Sequence, residues 1–126
     1  MGLPPEARPA TFLATTKKDE ARDFFENKLG LKFITDDGFA MVFDNCGSPL
    51  RISPAKEFTP QQFTVLGWAV ADVRAAVAEL QKRGVQFEHY DFMPPGEVVF
   101  TFPGPTDVAW FKDPDGNVLS LSQHQK

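Results

Sequence analysis

The sequence predicts an α+β fold built from two β-α-β-β-β modules, and three observations carry that prediction. The hydrophobic period changes from strand-like alternation to helical spacing and back, twice, along 126 residues. Residues 39–53, FAMVFDNCGSPLRIS, overlay without a gap on residues 108–122, VAWFKDPDGNVLSLS. Asp44 then falls on Asp113, Gly47 on Gly116, Leu50 on Leu119 and Ser53 on Ser122. The helix-exit segments LGLKF (29–33) and RGVQF (83–87) superimpose as well. A module of this size buries too little apolar surface to stand alone, so the two are expected to share one sheet.

Each element has its own signal. Residues 10–16, ATFLATT, are β-branched and aromatic enough for a strand. Thr16 reads as a helix N-cap, with Asp19 completing a short-armed capping box. Ala21, Phe24, Phe25 and Leu29 follow at helical spacing, and Gly30 stops the helix. Strands are expected at 31–35, 39–43 and 50–53, separated by the turns Asp36-Asp37-Gly38 and Asp44-Asn45-Cys46-Gly47. The second module repeats the order. Residues 64–71 form a strand, Asp72 caps a helix whose apolar face is Val73, Ala76, Val77 and Leu80, and Gly84 ends it. Strands are expected at 85–90, 98–102, 108–112 and 118–123, with Asp113-Pro114-Asp115-Gly116 as the last turn. The organisation is an N-terminal arm at 1–9, a first module at 10–53, a linker at 54–63 holding Pro54 and Pro60, and a second module at 64–123, in one domain overall.

Composition excludes several classes of function. The chain is 42% hydrophobic and 24% charged, so it is expected to fold rather than remain disordered. It contains no run of 18 apolar residues, so no membrane-spanning helix is expected. Residues 1–9 have no apolar core after a basic start, so a signal peptide is not expected. The net charge is −4 with both signs mixed along the chain, which argues against an electrostatic nucleic-acid binder. Cys46 is the one cysteine and has no partner for an internal disulfide, which fits a reducing, cytoplasmic setting. Thirteen Phe imply either a thick apolar interior or an apolar cavity.

The doubled module, with FFENKLGL after the first strand and WFKDPDGNVLSL near the end, resembles the vicinal oxygen chelate superfamily. This is the glyoxalase, bleomycin-resistance and extradiol-dioxygenase group, and the resemblance covers residues 10–123. It implies curved mixed sheets around a cavity, helices outside, a homodimer, and either a divalent metal or a ligand bound without one. The family's metal positions lie near the start of each module's first strand and in each module's last strand. Here they carry about Ala10, Arg51, about Val65 and Ser120, where the family puts His, Glu or Gln. Ser is a poor ligand, Arg has the wrong charge, and Ala and Val have no lone pair to give. No metal site and no cofactor is therefore assigned.

The candidate ligand-binding residues are Arg51, Ser120, Trp110, Met41, Phe39, Phe43 and Phe12. Alternation puts Leu50 and Ile52 toward the helices and Arg51 toward the expected cavity. A guanidinium there needs an anion or a carboxylate, and a rim salt bridge to Glu97 or Asp107 is the competing reading. The overlay makes Met41 the counterpart of Trp110, and Phe39, Phe43 and Phe12 are placed on the same face. Together they would line an apolar pocket, with ordinary core filling as the alternative. Trp68 lies on the opposite face from Gly67 and Ala69 and reads as core. His89 and Asp91, separated by Tyr90, are not assigned as a catalytic base and its orienter. His124 reads as solvated, and Cys46 has no adjacent base. No catalytic residue is assigned. The expected function is metal-free binding of a small amphipathic, anionic molecule. The alternatives are a glyoxalase-type lyase or isomerase with unusual metal ligands, and an interaction module that has lost its site.

Overall fold

Strand β1 (Thr11–Thr15) leaves an exposed arm and alternates, with Leu13 and Thr15 buried and Phe12 exposed. The computed structural model describes residues 2–124. They form two compact units that divide between Phe58 and Thr59.

In the first unit, helix α1 (Lys18–Asp23) follows β1. Its N-cap is Lys17, whose side chain makes no capping bond, so the expected Thr16 cap is corrected. The Thr15 hydroxyl instead accepts from the Lys17 N–H at 3.0 Å, because the chain turns at the last, buried residue of β1. The helix widens into a π-helical turn, Phe24–Lys28, in which the Leu29 N–H reaches the Phe24 carbonyl at 2.9 Å. The wider coil lets the successive residues Phe24 and Phe25 both turn inward. Strands β2 (Lys32–Asp36), β3 (Met41–Asn45) and β4 (Ser48–Pro54) complete a sheet of order β1-β4-β3-β2, with β1 and β4 parallel. Phe25 packs on Phe43 at 6.0 Å between ring centroids, and Phe33 meets Phe43 edge-on at 5.5 Å. Leu13, Met41, Leu50 and Ile52 complete the buried layer.

The second unit repeats this plan. Strand β5 (Thr64–Ala69) leads to helix α2 (Val73–Lys82), and Asp72 caps it by accepting from the Ala75 N–H at 3.1 Å. The Gln123 carboxamide accepts from the Val73 N–H at 2.9 Å, so the last strand also holds the helix start. Strands β6 (Val99–Phe102), β7 (Thr106–Lys112) and β8 (Val118–His124) give the order β5-β8-β7-β6, with β5 and β8 parallel. Val73, Val77, Val99, Ala109, Phe111, Leu119 and Leu121 are buried between helix and sheet. Trp68 stacks on Phe111 at 6.4 Å from the helix side of the sheet but is only half-buried, so the expected core position is corrected to the margin of the core.

Two expectations are corrected. Residues 85–90 are not a strand; they make one bridge, Phe87 to Phe111. The rest of that edge of β7 is already taken by β6, which pairs with residues 106–109. The ladders also close within each unit as two four-stranded sheets, not one shared sheet. Each helix covers one face of its own sheet, so each unit has its own buried layer.

Candidate functional site

Register decides which side chains can act together, because residues directly opposite in a ladder share a face. In the first unit, Arg51 is opposite Phe12 on β1 and Val42 on β3. Phe12 and Arg51 thus share the face turned away from the helix, and Phe12 is 67% exposed. Met41 is opposite Ile52 and Phe43 opposite Leu50. These two lie on the helix side, 2% and 0% exposed, so the expectation that they share a face with Arg51 is corrected. Phe39 precedes β3 in the turn and is 80% exposed.

The Arg51 guanidinium donates to Asp37 Oδ2 at 2.7 Å. The carboxylate that meets it is therefore in the β2–β3 turn of the same unit. Asp37 Oδ1 also accepts from the N–H groups of Phe39 and Ala40, at 2.9 and 3.0 Å. Arg51 first, and then those two N–H groups, lower the Asp37 pKa from 3.8 to about 2. A lowered pKa means that the fold favours the ionised form. The contribution of this pair to stability is thus present above the ordinary carboxylate value and is lost as pH falls through about 2. A carboxyl carbon NMR titration should place the Asp37 midpoint near 2, and Arg51→Met should move it upward. A midpoint at the ordinary value in the unmodified chain would show that the pair does not form.

In the second unit, Trp110 is opposite Ser120, and Ser120 is opposite Gly67, all on the face away from α2. A Cβ at Gly67 would stand 2.5 Å from the Ser120 hydroxyl, so the glycine leaves that hydroxyl its space. Ser122 and His124 continue the same face, with Ser122 Oγ 3.1 Å from His124 Nε2.

Trp110 does not stand alone. The segment 88–98 forms a built loop over this end of the sheet. Its start is fixed by the Glu88 N–H donating to the Trp110 carbonyl at 2.8 Å. Its two arms are joined where His89 Nδ1 lies 2.6 Å from the Glu97 carbonyl oxygen. Its middle is anchored by buried Met93, whose N–H donates to the Tyr90 carbonyl at 2.9 Å. His89 is thus a loop-closing residue.

The loop delivers Tyr90 and Phe92 to Trp110. Tyr90 meets the indole edge-on at 5.6 Å, Phe92 at 6.1 Å, and Tyr90 and Phe92 stack on each other at 5.6 Å. Phe102 and Phe100 extend the cluster along β6, with Phe102 6.1 Å from Trp110. A cleft of about 220 Å³ opens here, lined by Gln62, Phe63, Thr64, Tyr90, Phe92, Trp110 and Val118. Burial first, and then the charge of Glu88, push the Tyr90 hydroxyl pKa upward. The candidate site therefore contains one residue singled out from the sequence, Trp110. Sequence reasoning missed Tyr90, Phe92 and Phe63. The signal available for Tyr90 and Phe92 was aromatic residues set among the prolines of the 90–105 loops, and for Phe63 an aromatic at the end of the Pro-containing linker.

Residues 9–121 match the family described as the glyoxalase/bleomycin resistance protein/dioxygenase superfamily. The chain belongs to this superfamily. Solved structures of similar fold include a glyoxalase/bleomycin resistance protein/dioxygenase from Alicyclobacillus acidocaldarius, at 19% identity and a TM-score of 0.69, covering 98% of this chain and 95% of that one. A lactoylglutathione lyase from Agrobacterium tumefaciens matches at 19% identity and 0.68, covering 95% of each chain. A glyoxalase family protein from Enterococcus faecalis matches at 16% and 0.68, covering 90% of this chain and 93% of that one. At these identities the likeness is one of fold alone. No curated protein matches the chain.

The residues at the superfamily's metal positions do not fit a divalent cation. Arg51 is itself a cation, held by Asp37. Ser120 offers one neutral hydroxyl, and Ala10 and Val65 offer no side-chain donor. Among the described residues, no three His, Cys, Asp or Glu side chains come together as a cation site. Among the same residues, no helix is long and apolar enough to cross a membrane.

Proposed function

We propose that this superfamily member is a metal-independent small-molecule binding protein whose ligand sits in the aromatic cleft of the second unit. The observation that carries this reading is the convergence of Trp110, Tyr90, Phe92 and Phe63 on one cleft with hydrogen-bonding groups from Gln62 and Thr64. A mainly apolar wall with a few polar groups is the usual composition of a small-molecule site. Aromatic walls give a planar ligand a large apolar contact at about 25 cal/mol per Å² buried. The volume of about 220 Å³ is below the range of about 300–1,000 Å³ usual for drug-sized ligands, which fits a molecule of one or two rings. The mechanism is sequestration, and no bond in the ligand has to change.

The test has two arms. Purified protein should carry far less than one equivalent of Zn, Ni, Mn or Fe per chain, and a chelator should leave its melting temperature unchanged. Stoichiometric metal with a chelator-sensitive melting temperature would replace this reading with a metal-dependent lyase or isomerase. One- and two-ring aromatic compounds should raise the melting temperature by mass action. If none does so at millimolar concentration, the cleft is not a binding site and the interaction-module reading stands.

A further inference from the structure

The lining of the cleft also bears on the charge of its occupant, an inference that rests on the reading of the cleft as the binding site. We propose that the cleft selects an uncharged planar molecule bearing a hydroxyl or amide group, and discriminates against carboxylates of the same shape.

The argument is one of charge complementarity. The polar side chains that line the cleft are a carboxamide, Gln62, and two hydroxyls, Thr64 and Tyr90; no lysine, arginine, aspartate or glutamate is among them. A carboxylate entering such a site exchanges water for neutral donors, and desolvation of an unpaired charge is costly. The Arg51 guanidinium that would favour an anion is committed to Asp37 in the first unit. The Glu88 carboxylate at the start of the loop is paired with Lys112 at 3.8 Å, so this end of the cleft presents no free cation to an anionic ligand from that pair.

A cation is disfavoured by a different observation. Four aromatic residues line the cleft, and rings can hold a soft cation over their faces. Tyr90 and Phe92, however, lie nearly parallel, 10° apart with 5.6 Å between centroids, so the offset rings already spend part of one face each on the other. No lining carboxylate is present to share the load. A neutral ligand avoids both costs, and its hydroxyl or amide can pair with groups that both donate and accept.

Three probes with one aromatic body test this: 2-naphthamide, 2-naphthoate and protonated 2-(aminomethyl)naphthalene, each titrated calorimetrically into the 126-residue chain at neutral pH. The expected result is that the amide binds at least tenfold more tightly than either ion. The variant Gln62→Lys, at an exposed position of the cleft, should then raise naphthoate affinity at least tenfold relative to the amide. Naphthoate binding as tightly as the amide to the unmodified chain would overturn the charge inference while leaving the binding site in place. Tighter binding of the ammonium would overturn it in favour of an aromatic cation site. If none of the three binds at millimolar concentration, it is the reading of the cleft that fails.

Discussion

Phe111→Ala should destabilise the protein by about 3–5 kcal/mol, the range for truncating a fully buried aromatic. The Phe111 side chain is 0% exposed, stacked by Trp68 at 6.4 Å and met by Phe87 at 5.1 Å. Alanine removes the ring and leaves a cavity that two flanking aromatics on separate elements can only partly fill. Against a typical total stability of about 5–15 kcal/mol, the loss takes a large share of the whole. Denaturant unfolding checks it, and the neighbouring residue supplies the control. Trp110→Ala, on the opposite face, should cost only about 1 kcal/mol, the ordinary size for a half-exposed position. Equal losses at the two positions would mean that the face assignment of β7 is wrong.

The second large effect is on binding. Trp110→Ala should weaken an aromatic ligand of the cleft by at least tenfold, about 1.4 kcal/mol, while the chain stays folded. The indole is the ring that Tyr90, Phe92 and Phe102 all approach within 5.6–6.1 Å. Its removal takes away both a wall of the cleft and the support for two others. A ligand at a hundred times its dissociation constant stabilises the unmodified chain by about 2.7 kcal/mol, and a tenfold weakening leaves about 1.4 kcal/mol, so the ligand-induced shift in melting temperature should fall by about half or more in the variant. An unchanged ligand-induced shift would place the ligand elsewhere.

The fold was legible because it rests on local signals that agree with one another. The Asp72 cap, the Val73 and Val77 stripe and the Leu50-Arg51-Ile52 alternation all occur as their residue types require. The faces of Arg51 and Trp68 follow from the same alternation, although Trp68 is only half-buried. The site was less legible, and one residue explains much of the loss. The gapless overlay treated the two final hairpins as equal. In the first, Asp44 pairs with Pro49, leaving residues 45–48 between them. In the second, Lys112 pairs with Val118, leaving residues 113–117, one more. The first loop is tight because Cys46 and Gly47 both adopt positive φ, 54° and 94°. The second is wider because the buried Asp113 carboxylate accepts from the N–H groups of Asp115 and Asn117 and from the Asn117 side chain. A one-residue slip turns every side chain to the other face. By register against the last strand, the counterpart of Trp110 is therefore Val42, while Met41 corresponds to Ala109 in the core.

The partners of Trp110 were out of reach for a different reason. Tyr90 and Phe92 come from a loop whose course depends on a backbone bond from Glu88 to Trp110 and on the buried side chain of Met93. Neither contact has a periodic signature. Arg51 shows the same limit: its face followed from alternation, but its partner Asp37 depends on where a turn 14 residues away places a carboxylate.

The central claim, that the aromatic cleft of the second unit binds a small molecule, is tested most directly by the two indole N–H signals of the chain. In an NMR titration with 2-naphthamide, the Trp110 indole signal should move saturably, because that ring lines the cleft. The Trp68 signal, from a ring stacked on Phe111 beneath the helix, should stay in place. A Trp110 signal that does not move at millimolar ligand, or one that moves only together with Trp68, would contradict the account.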